Sequence, residues 1–273
     1  MNIQDFLKKR QAETEWMHIN GFELGDPNIN GQFSTLEQML SFNSLFVDIG
    51  ANKGKFAEKA IESNKRLKLL LFEPHPEHSK ELGKLFPNHK VYDVALSNKK
   101  GEAEFFLYLA DSENSTLFDR HEMMPSFVKQ NIKTKVILDV LDSYLTEITS
   151  KGEKGVFIKI DVEGAEQFVF EGARKLLRTN TTMSIMFEYG HGFKDSDTTL
   201  KAIFHILDEY GFEFYRITPL GLEKIRFFTV DMEDYRFANY VAVKKLDMNK
   251  VFPKKYSIES IYGQSVFYEF SNS

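Results

Sequence analysis

The stretch LFVDIGANKGKF (Leu45–Phe56) decides the fold. Its first residues are apolar apart from Asp48, Gly50 and Gly54 mark a turn, and KFAEKAIESN (55–64) carries the apolar spacing of a helix. A continuous apolar run, rather than an alternating one, suits a strand buried on both faces. The pattern recurs. LKLLLFEP (Leu67–Pro74) precedes the helical PEHSKELGKLF, and VYDVALS (Val91–Ser97) reads as a third strand. VFIKID (Val156–Asp161) precedes one helix over EQFVFEGARKLL, and MSIMFEY (Met183–Tyr189) precedes TTLKAIFHILDEYG. Strands alternating with helices of this length predict an α/β, doubly wound, mostly parallel sheet with helices on both faces.

Two segments depart from that rhythm. GEAEFFLYLA (Gly101–Ala110) and KVILDVL (Lys135–Leu141) predict a β insertion at about 101–141. FEFYRIT (Phe212–Thr218) and NYVAVKK (Asn239–Lys245) have no long helix between them, which predicts a C-terminal antiparallel hairpin closing the sheet. Residues 45–245 form the central domain. Residues 1–44 read as an N-terminal helix with a loop, GFELGDPNINGQ (21–32), and 246–273 as a C-terminal appendage.

The composition narrows the function. Lys plus Arg number 35 against 40 Asp plus Glu, a net charge of -5, so no basic face for nucleic acid is expected, and the patch Lys129–Lys135 reads as a solvated surface. The absence of cysteine rules out disulfides and thiolate metal sites and fits a reducing cytoplasm. MNIQDFLKKRQAETEW has no apolar core after its positive charges, so no signal peptide is expected, and no apolar run is long enough for a membrane span.

Three turns carry candidate chemistry at the carboxyl ends of strands, where open α/β sheets bind ligands. The first is Gly50-Ala51-Asn52-Lys53-Gly54 after Asp48. It lacks the third glycine of G-x-G-x-x-G, and an acid there repels phosphate but attracts an amino group or a sulfonium. The second is Glu73, 23 residues beyond Gly50 and stiffened by Pro74 and Pro76, placed to accept hydrogen bonds from both ribose hydroxyls. Ala95, Leu96 and Ser97, ending the third strand, would then lie beside the base.

The third is DVEGAE, with Asp161, Glu163 and Glu166; Glu163 and Glu166, three apart, are expected to share a helix face, and Asp161 also fits a helix N-cap. Glu188 ends the fifth strand and adds an acid to the same edge. His191, between Gly190 and Gly192, fits either a general base or an ordinary loop histidine. Ser115 and Thr116 in the insertion are candidates for substrate contact.

Taken together, VDIGANKGKF, LFEPHP, VALSNKKGEAEF, VILDVLDSYL, IKIDVEGAEQFVFEGA and IMFEYG resemble, in order and spacing, the FkbM-type methyltransferases from Leu45 to about Lys245. The resemblance implies a class I methyltransferase (Rossmann-like) fold that binds S-adenosylmethionine. It also implies O-methylation of a hydroxyl on a sugar or natural product. By position it assigns Asp48, Gly50, Asn52 and Gly54 to the methionine end, Glu73 to the ribose, and Ala95 and Ser97 to the adenine. It puts Asp161 and Glu163 nearest the methyl group.

On that reading Asp161 or Glu163 positions or deprotonates the acceptor, with His191 as the alternative base. A Mg²⁺ ion held by Asp161, Glu188 and acceptor oxygens fits the hard ligands, although no spacing requires it. The expected partner is a saccharide or other small-molecule acceptor. The competing readings are a nicotinamide-dependent oxidoreductase and a non-catalytic nucleoside-binding module of the same fold. Bound nucleotide separates all three.

Overall fold

A computed structural model of the chain describes residues 12–108, 115–119, 131–150, 154–260 and 263–271. Part of the N-terminal basic stretch and Lys129 itself therefore lie outside the described residues.

The central sheet holds ten strands. Five of them are parallel in the order β3 (Lys90–Tyr92), β2 (Lys68–Phe72), β1 (Leu45–Ile49), β7 (Val156–Ile160) and β8 (Met183–Tyr189). Every residue of β1 and β7 is buried, as the apolar runs predict. Alternation sends Leu45, Val47 and Ile49 to one face, against Leu200–Glu209 and Glu166–Glu171. Phe46 goes to the other, against Gln32–Leu40 and Lys55–Ser63. Two helix starts are fixed locally: His75 Nδ1 accepts from Glu77 N with Pro76 in the first turn, and Thr199 Oγ1 accepts from Ala202 N.

Beyond β8 the sheet turns antiparallel, through β11 (Ala238–Lys244), β9 (Glu213–Thr218), β10 (Gly221–Ile225), β13 (Gly263–Glu269) and β12 (Lys255–Ser260). The predicted strands β9 and β11 do pair antiparallel, but they are not consecutive. The chain first folds back as β10, which was not foreseen because GLEKI mixes charge into a short run. The stretch expected to be an appendage extends the sheet, with Phe252, Tyr268 and Phe270 buried in its core.

Three further expectations are corrected. VYDVALS is not one strand: it breaks at Asp93 into β3, which pairs with β2, and β4 (Val94–Leu96), which pairs with β6 (Asn131–Asp139). With β5 (Gly101–Tyr108), β4 and β6 make the separate sheet β4-β6-β5, of which β5 and β6 fall in the region predicted as an insertion and β4 precedes it. The helix expected over EQFVFEGARKLL is two pieces, Glu166–Glu171 and Arg174–Arg178; at their junction a Cβ on Gly172 would stand 2.1 Å from Ser97 O, so backbone packs on backbone there. Residues 21–31 do form a loop, but a second helix, Gln32–Leu40, follows before the core. No helix among the described residues is long and apolar enough to cross a membrane.

Candidate active site

The carboxyl ends of β2, β1, β7 and β8 open into one cavity of about 420 Å³, within the ~300–1,000 Å³ range of small-molecule sites. The glycine turn and the acid turn meet there. Gly50 has φ +76°, and a Cβ on it would lie 1.8 Å from Asp161 O, while Asp161 N donates to Ile49 O at 3.0 Å. Glycine is therefore required at position 50 for the approach of the two turns as well as for its backbone angle.

Both turns also hold a non-glycine residue at positive φ, Asn52 at +49° and Glu163 at +56°. Asparagine tolerates that region; glutamate does so at a cost, and such strain concentrates at functional sites. Glu163 accordingly lies in the turn ahead of the helix Glu166–Glu171 and shares no helix face with Glu166. Nor is Asp161 an N-cap, since the helix begins after Ala165. Glu166 turns inward and ties its own loop, accepting from Val162 N at 2.9 Å and Gly164 N at 3.0 Å. Burial pushes its pKa up to about 8, against the pull of the Val162 amide.

Glu73 is 5% exposed and accepts from Asn52 N and His75 N, each at 2.7 Å. Burial still raises its pKa to about 7. Asp48 is fully buried beneath the turn, with no hydrogen-bond partner for either carboxylate oxygen among the described residues and burial lifting its pKa to about 6. What compensates it is Lys159, its register partner on β7, 3.6 Å away. Lys159 Nζ also stands 3.1 Å from Asp161 Oδ2 and 4.6 Å over the Phe56 ring. Burial works against that ammonium, but Asp161 and Asp48 outweigh it and hold its pKa above the ordinary lysine value.

Asp161, Glu163 and Glu188 line the cavity together, each half-buried, with ligand oxygens all within 4.8 Å of one another. Burial and then the charges of Asp161, Glu163 and Glu166 push the Glu188 carboxyl well above its usual range. His191 is exposed on the same rim. Gly50, Asn52, Glu73, Ala95 and Ser115 also face the cavity. Asp48, Gly54, Ser97 and Thr116 do not: Gly54 sits against Leu82 and Phe86, Ser97 N is bonded to Asp139 O, and Thr116 Oγ1 donates to Glu163 O at 2.9 Å, tying the insertion to the acid turn.

A family model described as the methyltransferase FkbM domain matches residues 48–214, which contain both turns, Glu73 and the carboxylate trio. The chain belongs to the FkbM methyltransferase family. Its activity class is S-adenosylmethionine-dependent methyl transfer. Comparison with curated proteins finds no match. Among solved structures, the FkbM chain is similar to a precorrin-6y C5,15-methyltransferase from Geobacter metallireducens (11% identity, 79% of this chain and 87% of that chain, TM-score 0.38). It is also similar to an O-methyltransferase from Bacillus cereus (12% identity, 88% and 90% of the two chains, TM-score 0.37).

Sequence reasoning missed two residues that line this FkbM site, Lys159 and Gln32, and a third, Asn239, that is bonded to Gln32. Lys159 was absorbed into an apolar strand, although a lysine inside VFIKI is itself the signal. Gln32 lines the cavity from the helix before β1, and Asn239 on β11 bonds to it across 207 positions. No local pattern marks either.

Proposed function

We propose that this FkbM methyltransferase methylates a hydroxyl of a sugar, a polysaccharide precursor or a glycosylated natural product. The observation that carries the reading is the trio Asp161, Glu163 and Glu188 facing the cavity beside the paired turns. When bound, S-adenosylmethionine supplies a methyl group already activated on a sulfonium, which leaves the protein to align the acceptor and remove its proton.

The residues present fit that cofactor. Asn52 Oδ1 faces the cavity without a hydrogen-bond partner among the described residues and suits the ammonium of the methionine end. Each Glu73 oxygen, already accepting one backbone N–H, keeps acceptor capacity for a ribose hydroxyl. Phe72, Val94, Ala95 and Leu96 give the adenine an apolar wall. At the other turn, Asp161 or Glu163 takes the proton as the acceptor oxygen forms its bond to carbon, with His191 as the alternative base.

A second reading places Mg²⁺ on Asp161, Glu163 and Glu188, whose clustered oxygens suit a hard cation. There Lys159, already 3.1 Å from Asp161, is the competing positive charge. The test is incubation with isotope-labelled S-adenosylmethionine and a panel of sugars, sugar nucleotides and glycosylated metabolites, read by mass spectrometry. Label on a hydroxyl oxygen is expected. Label on nitrogen or carbon overturns the hydroxyl assignment. Activity that survives EDTA favours carboxylate base catalysis, whereas loss restored by Mg²⁺ favours the metal.

A further inference from the structure

The ten-stranded sheet ends in an open edge. β12 is its last strand and, among the described residues, pairs with β13 alone. Lys255, Tyr256, Ser257 and Glu259 are all exposed, and Tyr256 is 51% exposed although it is aromatic. A bare strand edge is a template for pairing with another chain unless something blunts it. Between Lys255 and Glu259 there is neither proline nor glycine to interrupt a ladder. The edge also lies beyond the family match at 48–214.

The hydrogen-bond phase of β12 fixes which groups point outward. Lys254 stands opposite Glu269, one step beyond the register pair Lys255 and Tyr268, and Glu269 N donates to Lys254 O at 3.0 Å. Hydrogen-bonded and non-hydrogen-bonded pairs alternate along an antiparallel ladder. Lys254, Tyr256 and Ile258 therefore bond inward to β13, and the N–H and C=O groups of Lys255, Ser257 and Glu259 point away from it.

An antiparallel copy of β12 has to meet those outward groups with its own. With a two-fold axis at Ser257, the two Ser257 residues face each other. Lys255 then faces Glu259 of the second copy, and Tyr256 faces Ile258 of the second copy. Symmetry repeats each pair. Opposite charges and an aromatic beside a β-branched side chain are both favourable across strands. Moving the axis to Tyr256 or Ile258 keeps the phase but sets Ser257 against Lys255 or Glu259 and loses the charge pairs. A lysine on an edge ordinarily discourages pairing, and this register is the one that answers it. Within one chain Lys255 Nζ bonds to the neutral Asn249 Oδ1 at 2.7 Å, while Glu259 lies about 13 Å further along the strand.

We propose that the chain forms a two-fold symmetric dimer by pairing β12 with β12 of a second copy, so that the sheet continues across both molecules. The contact supplies about six main-chain hydrogen bonds and the Lys255–Glu259 pair twice. A strand-edge contact of this length buries less than the ~1,200 Å² of a stable interface, so the dimer is reversible. β12 lies at the far end of the sheet from β1 and β2, which leaves both cavities open.

The test is sedimentation-velocity centrifugation of the full chain from low micromolar to submillimolar concentration. The wild-type chain should pass from monomer to dimer over that range. Lys255→Glu and Glu259→Lys each set like charges face to face, and each should raise the dissociation constant at least about tenfold. Mixed in equal amounts, the two variants again present opposite charges to each other and should form a heterodimer about as tight as the wild-type dimer. Ser257→Pro removes the outward N–H at the axis, which bonds nothing in β13, and should also weaken the dimer while thermal unfolding stays close to wild type.

A chain that stays monomeric throughout, a dimer that all three substitutions leave unchanged, or a mixture no tighter than the single charge variants overturns the proposal.

Discussion

Lys159 Nζ stands 3.1 Å from Asp161 Oδ2 and 3.6 Å from Asp48 Oδ1, so a single buried ammonium serves both turns of the site. Lys159→Met keeps the bulk and removes the charge, leaving Asp48 buried without compensation. The expected loss is ~3–5 kcal/mol in urea unfolding. Adding Asp48→Asn in the same chain should restore much of it. If the lysine substitution is silent, Asp48 is neutral in the folded protein and the ion pair has no structural role.

Gly50→Ala should be damaging out of proportion to one methyl group, because its Cβ would stand 1.8 Å from Asp161 O at a positive φ. We expect destabilisation of more than about 1 kcal/mol and loss of S-adenosylhomocysteine binding, measured by thermal unfolding and calorimetry. Gly25→Ala, where the added carbon meets open space, is the control and should retain both.

Stability should fall as pH rises from about 6.5 to about 8. In the folded chain Glu73 and Glu166 titrate near 7 and near 8, raised from 4.5 mainly by burial. In the unfolded chain they are already ionised across this window, so the folded state binds more protons and loses stability as they leave. Below the window the sign is opposed by His75, His78 and His89, whose pKa values are lowered by burial from 6.5. Urea midpoints at the two ends of the window check this, and a midpoint that rises with pH contradicts it.

Asp161→Asn and Glu163→Gln separate catalysis from binding. A general base contributes roughly 10²–10⁴-fold, so loss on that scale in kcat is expected for whichever residue takes the proton. Affinity for S-adenosylhomocysteine should change little, since on the proposed reading Asn52 and Glu73 hold that end. His191→Ala with full activity would remove the histidine from consideration, whereas a loss on the same scale would transfer the base role to it.

The parallel half of the fold is legible because β1, β2, β7 and β8 are predominantly apolar runs, each ending at a turn. Glu73 and Asp161 are legible for the same reason, as acids just after such runs, whereas Asp48 lies inside β1 and is buried away from the cavity. The break at Asp93 is not legible, because the strand signal continues across it and only the pairing partners differ. Lys159 was hidden by its neighbours' hydrophobicity. The link between Gln32 and Asn239 exists only after β11 has inserted beside β8, a contact that no local pattern encodes.

The most direct measurement is calorimetric titration of the chain and of Glu73→Ala with S-adenosylhomocysteine, repeated with NAD. One site per chain for S-adenosylhomocysteine, weakened at least about tenfold in the variant through loss of charge-assisted hydrogen bonds, with no NAD binding, is the predicted result. Binding of NAD, or S-adenosylhomocysteine affinity indifferent to Glu73, would contradict the account.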